Sequence, residues 1–321
     1  MQLAPGVHRI ESLFGARTNA VYLLVGSRRS LLVDTTTSDS ADDILDACAA
    51  AGAPHPSWVV TTHADWDHAA GNGIIRLRSP NSLLSCHEQD RAMIEDVALM
   101  ISDRYGEFSH DHGFDETDES KDTIRAGTTP AAMDISLTGG EVFNLGDDWR
   151  VTVVHTPGHS HGSISVFDPR SSALIIGDAV LGSAVPLASG TAAFPPTYRY
   201  IDDYLATIDA IRTLAPDLLL TSHYPVYSGS EVTDFLDESS RFTRRVEAAM
   251  RGAFQGSNEP IGMLELANSV SADLGDWPRE AAAALLSPMA GHLERLISVG
   301  FVAPSRQAND TITRYHWVGS L

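Results

Sequence analysis

The hydrophobic pattern of residues 1–236 alternates between two periods, which predicts both strands and helices. Short runs of apolar and β-branched residues between glycine or polar turns are typical of strands. These runs lie at 8–14, 19–25, 30–34, 57–62, 82–86, 149–155, 163–167, 172–177 and 217–222. Apolar residues at three- and four-residue spacing predict helices at about 40–51, 88–104 and 201–214. This succession indicates an α/β chain whose helices pack on sheets.

The pattern changes from about Asp237, where helical periodicity takes over. Three helices are predicted, at 241–254, 263–274 and 282–300. A terminal hairpin follows, with strands in 301–307 and 311–319 and a turn at Asn309–Asp310. Three helices and a hairpin suggest a winged helix, so we predict a first domain of residues 1–236 and a winged-helix-like C-terminal domain of residues 237–321.

Residues 105–134 lose this periodicity and are rich in Gly, Ser, Thr, Asp and Glu. We expect an acidic loop that serves as a lid or a binding loop, with disorder as the alternative. His110 and His112 lie within it, but no strand fixes them, so we expect both to be solvated rather than to bind a metal.

Charge restricts the partners, since the chain of 321 residues carries a formal net charge of −20. A field of that sign repels phosphate backbones and anionic membranes, so neither nucleic acid nor a membrane surface is expected as a partner. Residues 237–321 hold eight arginines against ten carboxylates, so packing or a homodimer contact is a better role for them than DNA binding. The absence of a long apolar run or a leader-like N-terminus predicts a cytoplasmic protein.

The segment HADWDH follows the predicted strand 57–62 and places His63, Asp65, Asp67 and His68 within six residues. A loop that leaves a strand end can direct several side chains into one volume. Two imidazoles and two carboxylates so close together need a counter-charge, and a divalent cation supplies it.

Three further strand ends deliver residues of the same type. Pro157 and Gly158 make a tight turn that presents His159, Gly177 precedes Asp178, and His223 follows the strand 217–222. Open α/β sheets place ligands beyond the carboxyl ends of their strands. These residues therefore predict one metal site, with Asp178 able to bridge two cations.

The motifs HADWDH, TPGHSHG, GD and SHYP, in this order, resemble those of the metallo-β-lactamase superfamily over about residues 6–232. The resemblance implies a four-layered αβ/βα sandwich with metals at one edge, and the C-terminal segment resembles the winged-helix appendage of one branch of these hydrolases. It implies two divalent ions. His63 and His159 would hold the first, Asp67, His68 and His223 the second, and Asp178 would bridge.

One position departs from the motif, because the family usually has histidine where this chain has Asp65. Three outcomes stay open: Asp65 ligates directly, acts through water, or leaves the first site weak or empty. The additional oxygen ligand shifts preference from zinc towards iron or manganese, although the imidazoles still suit zinc, which we expect first.

The implied activity is hydrolysis of a small-molecule substrate by metal-activated water. The bond would belong to an ester, thioester, lactone or phosphoester. Asp67 would orient the water and carry its proton. Tyr198, Tyr200 and Tyr224 are candidate donors to a developing oxyanion, since some family members place substrate contacts in the loop before a helix.

Two other functions are considered. Asp65 also fits a non-haem iron oxidoreductase with a flavodiiron-like or sulfur dioxygenase-like site, but no flavodoxin-like domain or glycine-rich cofactor loop follows. The second alternative function is a non-catalytic module that binds nucleic acid through the winged helix. The negative net charge of the chain argues against it.

Overall fold

Two mixed sheets form the centre of the computed structural model, which describes residues 1–306 and 311–319. The first sheet has the order β1 to β7, with antiparallel pairs up to β4 and parallel pairs from there on. Its strands are β1 (Gln2–Ala4), β2 (Val7–Phe14), β3 (Arg17–Val25), β4 (Ser30–Val33), β5 (Trp58–Thr61), β6 (Leu83–His87) and β7 (Ile135–Leu137).

The second sheet has the order β15-β14-β11-β10-β9-β8, in which only the pair β11 and β14 is parallel. Its strands are β8 (Val142–Gly146), β9 (Trp149–His155), β10 (Ile164–Asp168), β11 (Ala173–Gly177), β14 (Leu218–Thr221) and β15 (Tyr227–Ser228). A short hairpin of β12 (Val185–Pro186) and β13 (Ala192–Phe194) lies between β11 and β14 in the chain.

Side chains of each central strand alternate between two hydrophobic cores, as the pleat requires. In β4, Leu31 and Val33 enter the core between the two sheets, and Leu32 enters the core beneath the first sheet's helices. In β11, Ile175 enters the core between the sheets and Leu174 the core on the opposite face. Strands buried on both faces therefore produce four layers, helix–sheet–sheet–helix, as predicted for the metallo-β-lactamase sandwich.

Helices cover the outer faces of both central sheets, and those after residue 262 pack mainly on other helices. They are α1 (Ala41–Ala50), α2 (Trp66–Ala69), α3 (Asn72–Arg78), α4 (Arg91–Glu95), α5 (Val97–Leu99), a π-helical turn (Met100–Tyr105), α6 (Asp118–Ala126), α7 (Ile201–Leu214), α8 (Ser230–Gly256), α9 (Met263–Leu274), a 3-10 helix (Arg279–Leu285) and α10 (Leu286–Ser298). None of the helices in the described part of the chain is both long and apolar enough to cross a bilayer.

Three predictions in the region 88–134 are wrong in part. The helix expected at 88–104 is interrupted at Asp96, whose carboxylate accepts from the backbone of the next short helix and so starts a new segment. The acidic loop expected over 105–134 contains α6, which begins after the N-cap Thr117. In α6 only Ile124 is buried, so its sequence has no apolar stripe to predict it. His112 is half-buried rather than solvated.

In the described part of residues 237–321 the chain forms most of α8, then α9, the 3-10 helix and α10, so the predicted helix 241–254 begins earlier and the predicted helix 282–300 is divided. A three-stranded sheet accompanies them, with β16 (Ile261–Gly262), β17 (Val302–Ser305) and β18 (Arg314–Trp317). The antiparallel pair β17 and β18 agrees with the predicted hairpin, whose turn at Asn309–Asp310 lies outside the described residues. The predicted boundary at 236 falls inside α8, and one core contains side chains from both sides of it, such as Tyr204 and Leu293. The division into two domains stays a prediction.

Candidate metal centre

The first motif folds as a strand end followed by a short helix. His63 lies two residues after β5, Asp65 is the extended residue before α2, and Asp67 and His68 belong to the first turn of α2. The backbone amides of His68 and of the residue after it both donate to the carbonyl of Asp65, which closes the turn. This geometry turns four side chains inward within six residues, and His68 is completely buried.

The remaining predicted ligands come from the second sheet. His159 follows β9, Asp178 follows β11 and His223 follows β14, and all three side chains are buried. Gly158, directly before His159, has φ +136, and a Cβ there would lie 2.5 Å from the Cα of Tyr204. Glycine therefore lets this loop approach α7 closely and turn His159 towards the cluster.

All seven predicted metal ligands come together. Their ligand atoms form three overlapping groups, in each of which the atoms lie within 4.8 Å of one another. The groups are His63, His68 and Asp178; His63, Asp65 and His159; and Asp67, His68 and His223.

Each of the four imidazoles is held by a hydrogen bond at Nδ1, so that Nε2 faces the cluster. The Nδ1 partners are Thr62 Oγ1 for His63, Asp34 Oδ2 for His68, the Thr197 carbonyl for His159 and the Thr18 carbonyl for His223, at distances of 2.9, 2.9, 3.1 and 2.9 Å. Among the described residues, the buried His63 Nε2, His68 Nε2 and Asp178 Oδ1 have no hydrogen-bond partner. The hydrogen bonds at Nδ1 fix each ring so that Nε2 points into the cluster, beside the unpartnered oxygen of Asp178. This arrangement of nitrogen and oxygen atoms fits a divalent cation.

Electrostatics agree with that fit. Burial lowers the pKa of His68, but the charges of Asp178, Asp34 and Asp67 outweigh burial and raise it to about 10. Burial raises the pKa of the Asp178 carboxyl, yet His223 and His68 hold it far below its usual range. The cluster is thus a concentration of negative charge that attracts cations.

Asp65, the position that departs from the motif, is paired with Arg104 of the π-helical turn. Arg104 Nε lies 2.5 Å from Asp65 Oδ1, and Nη2 lies 3.0 Å from Oδ2 and 2.8 Å from His159 Nε2. Burial raises the pKa of the Asp65 carboxyl, but the Arg104 guanidinium outweighs it and holds that pKa well below its usual range. Sequence reasoning missed Arg104, because it lies in a segment interpreted only as a packing helix.

Two buried aspartates that support the loops were also missed. Asp34 ends the predicted strand 30–34 and accepts from the backbone of Thr62 and from His68, so its position at a strand end could have indicated it. Asp90 accepts from Ala64, Ser160 and Gly162 and so ties the two histidine loops together. No motif marks Asp90.

The structure does not bring the three candidate tyrosines to the cluster. The Tyr198 hydroxyl is buried and lies 3.0 Å from His292 Nε2. The Tyr224 hydroxyl accepts from the amide of Gly182 and donates to a neighbouring carbonyl. Tyr200 stacks on His161, with ring centroids 3.6 Å apart. Their proposed role as oxyanion donors thus has no geometric support.

A cavity of about 310 Å³ opens onto the ligands Asp65, Asp67, Asp178 and His223. Much of its wall is aromatic or aliphatic, contributed by the end of β2, the first residue of α2, the loop before α6, α6 itself and β13. These side chains are Phe14, Trp66, Phe108, Phe114, Ile124 and Phe194. The two arginines in the wall are Arg17, which lies over the rings of Phe14 and Phe194, and Arg104.

Comparison with known proteins agrees with this geometry. The profile of the "Metallo-beta-lactamase superfamily" matches residues 15–223, which is well over half of the chain. The "Acyl-coenzyme A thioesterase MBLAC2" of Gallus gallus is 26% identical over 247 residues, covering 72% of this chain and 82% of that protein.

Two solved structures share the fold at low identity. A metallo-beta-lactamase family protein from Thermus thermophilus superposes with a TM-score of 0.75 and 21% identity, covering 98% of this chain and 100% of that one. A beta-lactamase domain protein from Burkholderia ambifaria also has a TM-score of 0.75, with 19% identity, and covers 99% and 93%.

Proposed function

The chain belongs to the metallo-beta-lactamase superfamily and is a metal-dependent hydrolase, and from this premise we propose that it cleaves acyl thioesters. The observation that carries the proposal is the largely apolar cavity beside Asp67, Asp178 and His223. An acyl chain bound among aromatic rings would present its carbonyl carbon to the ligand cluster. The relative named as an acyl-coenzyme A thioesterase supports the same substrate class.

The lining supports a thioester over one of the other bonds considered, a phosphoester. Six large apolar side chains line the cavity, and its two arginines are accompanied by the carboxylates of Glu107 and Glu116. The cavity therefore favours an aliphatic chain over a phosphodiester, whose charge would lose its hydration against the rings and would be repelled by the carboxylates. A non-haem iron oxidoreductase is not favoured, because both the family and the similar thioesterase point to hydrolysis.

In hydrolysis, one water oxygen attacks the thioester carbonyl carbon and the carbon–sulfur bond breaks, giving a carboxylic acid and a thiol. A divalent cation, when bound, lowers the pKa of water from about 15.7 towards about 7 and polarises the carbonyl. The carboxylate of Asp67 would orient the water, accept its proton and deliver it to the departing sulfur. The aromatic wall would exclude bulk water from the acyl chain.

Zinc is the metal that we propose for the centre, with iron or manganese as alternatives. Imidazole nitrogens suit zinc, whereas the carboxylates also accept harder cations. Metal analysis of protein purified without added metal, together with a visible spectrum, identifies the ion. Stoichiometric iron with reversible colour would contradict the zinc assignment and revive redox chemistry.

The substrate is tested with acetyl, octanoyl and palmitoyl thioesters of coenzyme A, compared with an ester, a lactone and a phosphodiester. We expect the highest kcat/KM for the longer thioesters, and loss of activity in His68→Ala and Asp178→Ala with the circular dichroism spectrum unchanged. His155→Ala, an exposed histidine outside the cluster, is the matched control and should keep its activity. Faster cleavage of the phosphodiester or lactone would overturn the thioester proposal, and near wild-type rates in both cluster variants would overturn the site.

A further inference from the structure

A permanent cation already lies in the group of His63, Asp65 and His159, where the family resemblance implies the first metal ion. Arg104 presents two nitrogens to the two carboxylate oxygens of Asp65, and it also lies 2.8 Å from His159 Nε2 and 3.1 Å from the His159 carbonyl. We propose that the Arg104 guanidinium takes the place of the first metal, so that the protein holds a single ion, at the position of Asp67, His68, His223 and Asp178.

The contacts of Arg104 use the atoms that a first metal would need. His159 Nε2 lies 2.8 Å from Arg104 Nη2 and 2.9 Å from Asp65 Oδ2, so it is enclosed by the ion pair. His159 Nδ1 lies 3.1 Å from the Thr197 carbonyl, so in the neutral ring Nδ1 carries the proton and Nε2 keeps its lone pair. An arginine has only donors, so Nη2 donates to that lone pair. The same lone pair cannot bind a metal at the same time. Both oxygens of Asp65 are likewise engaged in the two-pronged ion pair.

The ion pair of Arg104 and Asp65 is largely buried, which strengthens the attraction between the two charges. The side chains of Arg104 and Asp65 are 13% and 16% exposed, and that of His159 is 1% exposed. A second divalent ion at this point would meet the guanidinium charge at short range in a poorly hydrated pocket. Displacing Arg104 instead would leave its own charge to be solvated elsewhere.

The departure in the motif follows from the same arrangement. Histidine, usual at position 65 in the resembled family, has one nitrogen to offer and no negative charge, so it could not form a two-pronged pair with a guanidinium. Aspartate can. The ion pair of Asp65 and Arg104 therefore replaces the first metal ion and the histidine that would bind it.

The second position has no such occupant. The ion-pair contacts of Asp67 and Asp178 are with His68 and His223, and both His68 Nε2 and Asp178 Oδ1 lack a partner among the described residues. His63 Nε2, which is also without one, lies in reach of this position because it forms a group with His68 and Asp178. One cation is thus enough to satisfy the orphaned atoms.

Arg104 also lines the cavity beside Asp67 and Asp178. Unlike a metal ion, the guanidinium is not removed by a chelator, and it faces the region in which the substrate carbonyl would lie. A guanidinium there would stabilise developing negative charge on the carbonyl oxygen, the part that a first metal plays in a two-metal site.

Metal stoichiometry tests the inference, which rests on the proposed metal site but not on the thioester substrate. The full chain is loaded with excess Zn²⁺, freed of unbound ion and analysed by mass spectrometry for zinc per chain. We expect one ion per chain in the wild type and a second ion in Arg104→Ala, because His63, Asp65 and His159 then become free to ligate. Arg199→Ala is the matched control: Arg199 is also buried and pairs with Glu107 and Glu294, neither of which belongs to the three ligand groups, so one ion should remain.

The number of zinc ions per chain distinguishes a failure of the Arg104 inference from a failure of the metal site itself. Two ions in the wild type, or an anomalous map with Arg104 displaced from Asp65, would overturn the inference while leaving the hydrolase proposal intact. No ion in the wild type would overturn both. A single ion in a folded Arg104→Ala would overturn the claim that the guanidinium excludes the first metal. If that variant does not fold, Arg104→Met, which keeps the bulk of the side chain, replaces it, and the wild-type stoichiometry still decides.

Discussion

Each metal-facing imidazole in this protein is oriented by a specific acceptor or donor behind it, and the partner of His68 carries a charge. Asp34 Oδ2 lies 2.9 Å from His68 Nδ1, and its Oδ1 accepts from the Thr62 amide at 2.7 Å. A carboxylate in this place fixes the ring tautomer and makes Nε2 a better electron donor to a metal.

We therefore expect Asp34→Asn to weaken metal binding by about 10- to 100-fold, since the amide keeps the shape but loses the charge. Competition with a chromophoric chelator measures the affinity. Asp168→Asn is the control, because Asp168 is equally buried but accepts from Trp149 far from the cluster. Equal affinities in the two variants would contradict the role of Asp34.

At the residue scale, the sequence predicts the side chains of the candidate metal cluster better than those that support them. His63, Asp178 and His223 stand at strand ends, a position that a sequence reveals. Arg104 and Asp90 act through contacts with residues 39 and 72 positions away along the chain, and no local pattern encodes such distances. The three tyrosines are predicted because some members of the family place substrate contacts in the loop before a helix, but a hydroxyl near the motifs can point into the core, as that of Tyr198 does.

At the scale of elements, the loop that carries His159 depends on one glycine. Gly158 has a positive φ, lies against the backbone of Tyr204, and its carbonyl accepts from the amides of Arg199 and Tyr200. The loop before His159 and the start of α7 are thus one packed unit, and a side chain at residue 158 would push them apart.

Gly158→Ala should therefore lower the unfolding temperature and also weaken metal binding, with backbone strain alone costing about 1–3 kcal/mol. Gly190→Ala is the matched control: Gly190 also has a positive φ but no atom within 4 Å of the added Cβ. Gly190→Ala should lower the unfolding temperature through backbone strain but leave the metal affinity unchanged. If both variants bind metal equally well, close packing at residue 158 does not position His159.

Two helices with strong periodicity are predicted to the residue, whereas elements without it are not predicted. The helix expected at 201–214 is Ile201–Leu214, and the one at 263–274 is Met263–Leu274. The helix Asp118–Ala126 buries a single apolar residue, and the short α2 is held by contacts within a metal loop. In such elements tertiary packing decides the conformation, which a local pattern cannot express.

At the scale of the whole molecule, the C-terminal segment completes the cavity. Ala283, Ala284 and Ser287, on and just after the 3-10 helix, line it together with Phe14 and Trp66. The small size of these residues leaves space that an acyl chain could fill.

Ala284→Phe should therefore reduce kcat/KM for palmitoyl thioester at least about tenfold relative to acetyl thioester, because the added ring removes volume at one wall while the metal ligands stay in place. Both rates are measured on the same preparation, so the short substrate is the internal control. A uniform loss for both substrates would mean that the variant disturbs the centre, and no loss would place the acyl chain elsewhere.

Metal removal should make the stability of the whole molecule depend on pH. In the folded chain without metal, the pKa of His68 is raised from 6.5 to about 10. The folded state then binds a proton more tightly than the unfolded state, so this stabilisation is complete below about pH 6.5 and is lost as the pH rises towards 10. A bound metal occupies His68 Nε2 in place of the proton and removes this dependence of stability on pH.

We expect the difference in unfolding temperature between metal-loaded and chelated protein to widen between about pH 7 and pH 9, since the contributions of groups that titrate in both forms cancel. Thermal scans at several pH values measure it, and a difference that stays constant or narrows would mean that His68 carries no proton in the metal-free fold.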